Sequence, residues 1–121
     1  MTSSWIWKQK FKGLFSSLRD TWRLRKEDPE SLVDISSVAR WGWKKFQDKA
    51  KVKFHCSKCD RRWTSMKGTV IFHYLLSRTE RKGQVQMWLL GQKCQRCDDV
   101  FESAQWYDKE IEKVLGNLLV K

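Results

Sequence analysis

Two Cys-x-x-Cys pairs, Cys56-Ser57-Lys58-Cys59 and Cys94-Gln95-Arg96-Cys97, account for all four cysteines of the chain and lie 34 residues apart. Two residues between thiols allow both sulfurs of one knuckle to reach the same ion at about 2.3 Å, and two knuckles together complete a tetrahedral four-thiolate zinc site. The separation exceeds the roughly 15 to 20 residues of the commonest spacing. One site still results if the intervening chain doubles back, because a hairpin from Thr69 to Lys93 returns its ends to the same place. A site of this kind has no open coordination position and is structural; Lys58, Arg61, Arg62, Lys93 and Arg96 stand close enough in sequence to offset the thiolate charge. The competing readings are a redox CxxC, which normally opens a helix in a βαβ unit, and an iron–sulfur cluster. Neither suits two knuckles flanking a β-rich segment as well. His55 adjoins a ligand and is an alternative donor, while His73 falls within a strand pattern; for both, a packed or solvated ring is the plainer reading. The cofactor expected is one structural Zn²⁺ held by Cys56, Cys59, Cys94 and Cys97.

The spacing of apolar residues divides the rest of the chain. Trp7, Phe11, Leu14, Phe15 and Leu18 recur at steps of three and four after Ser3 and Ser4, which predicts an amphipathic helix ending near Asp20. Trp22 to Arg25 alternates like a short strand, and Glu27-Asp28-Pro29-Glu30 reads as a turn. Leu32, Ile35, Val38, Ala39, Trp43 and Phe46 suggest a second, less regular helix over residues 31–50, interrupted by Gly42. From Val52 the period changes to two and leads into the first knuckle. Residues 69–76 and 85–90 read as the two strands of a hairpin with a charged tip from Arg78 to Gly83. Ile111, Val114, Leu115, Leu118 and Leu119 predict a terminal helix. The expected fold class is α+β: a zinc-ribbon-like antiparallel β segment with zinc knuckles, flanked by N-terminal and C-terminal helices. It is read as one domain over residues 1–121, with a helical part at 1–50, a zinc-knuckle β part at 51–100 and a C-terminal helix at 101–121.

Charge narrows the partners. The chain has 25 Lys and Arg against 14 Asp and Glu, a formal net charge of +11, so it attracts phosphate, anionic lipid or acidic protein surfaces. Lys44, Lys45, Lys49, Lys51, Lys53, Lys58, Arg61 and Arg62 cluster around the first knuckle and form the expected partner-binding surface; a merely solvated face is the plainer alternative. Of the eight Trp, at least half are expected in the core, notably Trp7, Trp43 and Trp63. No run approaches the roughly 20 apolar residues of a membrane-spanning helix, and no basic region followed by an apolar signal core opens the chain. As it stands the sequence reads as cytoplasmic. It has no Gly-rich phosphate loop and no nucleophile motif. A binding protein without enzymatic activity or a small-molecule substrate is therefore expected.

These residues also carry a resemblance. Trp22-Arg23-Leu24, Gly42-Trp43-Lys44-Lys45-Phe46 with Ala50, and Phe54-His55-Cys56-Ser57-Lys58-Cys59 resemble the receptor-transporting proteins, with their three-CxxC type of zinc finger. The likeness continues through Trp63-Thr64-Ser65, Val70-Ile71-Phe72-His73, Gly83-Gln84-Val85-Gln86-Met87 and Gly91-Gln92-Lys93-Cys94-Gln95-Arg96-Cys97. It implies zinc binding by each of the four cysteines. It also implies a cytosol-facing chaperone or adaptor that promotes surface trafficking of G-protein-coupled receptors, at the cytosolic face of the endoplasmic reticulum or plasma membrane where the full-length protein has a C-terminal anchor. An interferon-linked antiviral RNA-binding role is the alternative the resemblance carries, with RNA in place of receptor and membrane surface as partner. The family's third CxxC and its hydrophobic tail would lie beyond Lys121, so the resemblance implies either the folded N-terminal portion or a short member.

Overall fold

A computed structural model describes residues 3–97 and 101–120; residues 1, 2, 98–100 and 121, at the margins of the expected helical and β parts, lie outside it. Helix α1 spans Ser3–Phe15 and places Trp7, Phe11 and Phe15 on one buried stripe, four residues apart. It stops five residues short of the expected Asp20. Gly13, Ser16 and Ser17 are weak helix formers, and the Ser16 hydroxyl donates to the Gly13 carbonyl at 3.1 Å, so a turn competes with further winding. Leu18, expected on the apolar stripe, is exposed.

Strand β1, Thr21–Lys26, follows as expected. The second helix does not form. Residues 27–43 instead make three single 3₁₀ turns, at Pro29–Ser31, Ile35–Ser37 and Ala39–Trp41. Asp28 and Asp34 each accept a hydrogen bond from the backbone N–H two residues on, at 3.0 and 2.9 Å, which closes a local turn where a helix would have to propagate. Gly42 ends the segment at φ 96°, a left-handed conformation that a side chain resists. Strand β2 then runs over Lys44–His55, beginning eight residues before Val52. Phe46, Asp48, Ala50, Val52 and Phe54 all face inward, and the polar Asp48 hides that alternation. Its carboxylate is satisfied by Asn117 Nδ2 at 2.8 Å.

Strands β3, Arg62–Ser77, and β4, Lys82–Leu90, form the expected hairpin, in register from Thr69↔Leu90 to Ser77↔Lys82. Short strands β5, Gln92–Lys93, and β6, Phe101–Glu102, pair with each other beside the second knuckle. Strand β7, Gln105–Trp106, precedes helix α2, Asp108–Leu119, so only part of the expected helical region 101–121 is helix. The main sheet has the order β1-β4-β3-β2-β7, antiparallel except for β1 against β4.

One sheet face carries Val52, Phe54, Val70, Phe72, Val85 and Met87, and α1 and α2 cover it with Trp7, Phe11, Ile111, Val114 and Leu115. Each such large apolar side chain contributes about 1.5–3 kcal/mol on burial. Trp7 packs edge-on against Phe72 and Trp106, and the ion pair of Lys10 with Glu112 at 2.9 Å ties the helices together. Of the three Trp singled out for the core, Trp7 is fully buried while Trp43 and Trp63 are only partly so; Trp88 and Trp106 are buried instead. Trp88 lies with Ile71 and His73 on the opposite face, beneath the 3₁₀ segment, where its Nε1 donates to Ser31 Oγ at 3.0 Å. The segment expected to be a helix is therefore the cover of the second sheet face.

Candidate metal centre

The first knuckle is the turn that joins β2 to β3. Cys56 N–H donates to the Arg61 carbonyl at 2.7 Å, Asp60 N–H to the Cys56 carbonyl at 3.0 Å, and Cys59 N–H to Cys56 Sγ at 3.4 Å. Asp60 sits at φ 63°, which a short polar side chain tolerates, and its carboxylate pairs with His55 Nε2. That pairing holds Asp60 below its ordinary pKa. The second knuckle follows β5. Ser57 crosses between the two: its N–H and hydroxyl both donate to Glu102 Oε2 on β6, at 3.0 and 2.8 Å. These bonds, the backbone one first, hold Glu102 below the usual carboxylate range. Gly91 lets β6 approach, because a Cβ there would stand 2.3 Å from the Glu102 carbonyl oxygen.

The fold brings the four thiols to one point. Their sulfurs all lie within 4.8 Å of one another, with Cys56 to Cys97 at 3.8 Å and Cys59 to Cys94 at 3.7 Å. A tetrahedron with metal–sulfur distances of about 2.3 Å has sulfur–sulfur edges of about 3.8 Å. The Cys56–Cys97 and Cys59–Cys94 edges share no corner and both match. Cys56 and Cys94 are 1% exposed, so the thiolates are screened from competing solvent.

The proton affinities show why a cation belongs here. Burial acts to raise the Cys94 thiol, but the N–H groups of Cys97 and Arg96, then the Cys59 thiol and Arg61, outweigh it and bring Cys94 down to about 6. Cys97 is pushed up to about 12, first by its hydrogen bond with Cys59, then by burial and by Cys56. Four thiols so close cannot all ionise on their own, whereas a dication among them offsets half of the charge of four thiolates and so favours their ionised form. The residues fit one structural zinc ion, with no position left open for a substrate. His73 takes no part: it lies under Trp88, at 4.6 Å between ring centroids, and burial lowers its pKa. His55 serves Asp60.

The expected partner-binding residues divide. Lys45, Lys49, Lys51 and Lys53 occupy the outward positions of β2, with Arg62 opposite His55 across the β3 ladder and Lys58 exposed on the knuckle. Lys44 falls on the other side of the alternation, and Arg61 is drawn back over Trp63, 5.3 Å from its ring centre. Sequence reasoning missed Ser57 and Glu102. Ser57 lies inside a recognised motif, but no local pattern marks Glu102, whose role exists only once β6 has paired with β5.

Residues 49–121 match a family model of zinc-binding domains, the zinc ribbon with three CxxC pairs. Receptor-transporting protein 4 of Homo sapiens is 31% identical over 118 residues, covering 95% of this chain and 46% of that protein. Receptor-transporting protein 3 of Mus musculus is 28% identical over 114 residues, 93% of this chain and 24% of the relative. Receptor-transporting protein 1 of Macaca fascicularis is 30% identical over 117 residues, 93% of this chain and 43% of the relative. The chain thus spans less than half the length of these relatives. No solved structure matches it.

Proposed function

The chain belongs to the zinc-binding domain family of the three-CxxC ribbon, and from its likeness to receptor-transporting proteins we propose that it is the zinc-stabilised binding module of such a protein, one that engages cytosolic segments of heptahelical receptors on their way to the cell surface. The module works by binding, without turnover, on the cytosolic side of the membrane. Free cysteines suited to metal ligation are at home in that reducing compartment.

The observation that supports this reading is the stripe of Lys45, Lys49, Lys51 and Lys53 along one strand. β3 and the core behind it hold the strand in place, so its charges meet an acidic partner with little further ordering cost. The test is capture of a receptor's cytosolic segments by the zinc-loaded chain and by its Lys45→Glu/Lys49→Glu/Lys53→Glu variant. Retained zinc with lost capture is expected. Equal capture by both would overturn the stripe's role, and binding of single-stranded RNA that falls steeply with salt, without receptor capture, would replace receptor with nucleic acid.

A further inference from the structure

Across the sheet from that stripe, the outer side of β1 is a second available surface. β1 stands at the end of the sheet order, and among the described residues no strand pairs with its far side. Thr21 N–H donates to the Arg81 carbonyl at 3.2 Å and Glu27 N–H to the Met87 carbonyl at 2.8 Å, both on the β4 side. Peptide groups alternate in direction along a strand, so those of Trp22, Leu24 and Lys26 point away from the sheet. Beside this edge, α1 forms a wall. Between them lies a groove of about 640 Å³ lined by Phe11, Phe15 and Leu24, with Lys8, Lys12 and Arg23 at its rim. These three cations are exposed, and among the described residues none has a carboxylate partner. The groove's own acid, Asp20, is paired with Arg81 at 3.5 Å.

We propose that an extended acidic segment of a partner protein docks here as an added strand on β1. Strand addition draws affinity from the edge's main-chain groups and selectivity from pockets for alternate side chains. Apolar residues of the segment enter the groove between α1 and Leu24, and the acidic residues between them face Arg23, while Arg25 is already paired with Glu27 at 3.1 Å. A second copy of this chain is the wrong occupant, since pairing two β1 edges sets Arg23, Arg25 and Lys26 against the same charges. A nucleic acid is also disfavoured, because phosphates gain nothing from the outward carbonyls. The inference uses other residues than the β2 stripe and stands whether or not that stripe binds a receptor.

The test uses the full zinc-loaded chain and a fluorescein-labelled octapeptide in which Asp or Glu alternates with Val or Leu, with binding read by anisotropy. Saturable binding is expected, together with slower hydrogen exchange at the amides of Trp22, Leu24 and Lys26. Methylating alternate peptide amides, which leaves the protein untouched, should weaken binding about tenfold or more, as should Lys8→Glu/Lys12→Glu/Arg23→Glu. Lys67→Glu, an exposed charge outside both surfaces, should stay within about twofold of the parent. Equal binding of the methylated peptide would overturn the proposal, as would displacement of the octapeptide by single-stranded RNA with no exchange protection on β1.

Discussion

Replacing Cys59 with serine separates what zinc holds from what the core holds. Cys59 Sγ lies 3.7 Å from Cys94 Sγ and so forms one edge of the metal tetrahedron across the two knuckles. Among the described residues, few other bonds join the knuckle regions: Ser57 to Glu102 at 2.8 and 3.0 Å, Trp63 Nε1 to Gln92 Oε1 at 3.4 Å, and Gln92 Nε2 to Ser65 Oγ at 2.9 Å. Each contributes about 0.5–1.5 kcal/mol net, against roughly 10–16 kcal/mol for structural zinc at neutral pH. They cannot replace the ion. Cys59→Ser should lose more zinc affinity than the roughly 10–100-fold caused by changing groups that merely support metal ligands. Amides of residues 62–65 and 92–97 should then exchange freely. The sequence alone suggests that metal loss would unfold much of the hairpin from Thr69 to Lys93. The structure gives a narrower outcome, because Val70, Phe72, Val85 and Met87 are packed under α1 and α2, independently of the ion. Chelator competition and hydrogen exchange by mass spectrometry measure both effects. Full zinc retention would refute the ligand assignment, and equally fast exchange at Phe72 and at Thr64 would refute the separation of zinc end from core.

Glu102→Gln should keep the fold but weaken zinc binding about 10–100-fold, since it removes the charge that orients the first knuckle through Ser57; the same chelator competition reads it. Leu115→Ala, at a fully buried site, should cost about 2–5 kcal/mol in denaturant unfolding while zinc content stays at one ion per chain. Gly42→Ala should lower stability by about 1 kcal/mol or more, because φ 96° is strained for alanine and its Cβ would stand 3.0 Å from Leu75 Cδ1; a thermal melt checks it. Burial, then Lys45, lowers the pKa of His73, so the folded state binds fewer protons than the unfolded one. Its contribution is complete above the unfolded value of about 6.5 and is lost as pH falls toward the folded one, with a slope of at most about 1.4 kcal/mol per pH unit. Denaturation of the parent and of His73→Gln at about pH 7.5 and 5.5 should show a smaller loss in the variant.

The metal centre was legible because four thiols in two knuckles allow few arrangements, and the hairpin between them because its two β-rich strands bracket a charged tip. Residues 31–50 depart from the expected helix for a physical reason. Leu32, Ile35 and Val38 have helical spacing, yet the Asp28 and Asp34 carboxylates close separate turns, an alternative that spacing does not register. In β2 the inward Asp48 masks a period of two until its partner, Asn117, arrives from α2. Glu102 and the β1 edge are products of tertiary pairing and have no local signature at all.

The register of β2 also restricts what its stripe can bind. Lys45 and Lys53 are eight positions apart on one strand, which at about 3.4 Å per residue is roughly 27 Å. The Debye length at physiological ionic strength is about 8 Å, so a single phosphate or carboxylate at one end leaves the lysines at the other end unaffected. Alternate side chains on a strand stand about 7 Å apart, close enough for Lys49, Lys51 and Lys53 to reinforce each other's field, whereas Gln47 stands between Lys45 and Lys49. A partner that exploits the stripe must therefore present several negative charges in an extended array. A compact anion would occupy one or two lysines and gain little from the rest. Reversing a terminal lysine alone, Lys45→Glu, should then weaken capture less than reversing the central Lys49, and equal losses from the two would argue for a local contact in place of an extended one.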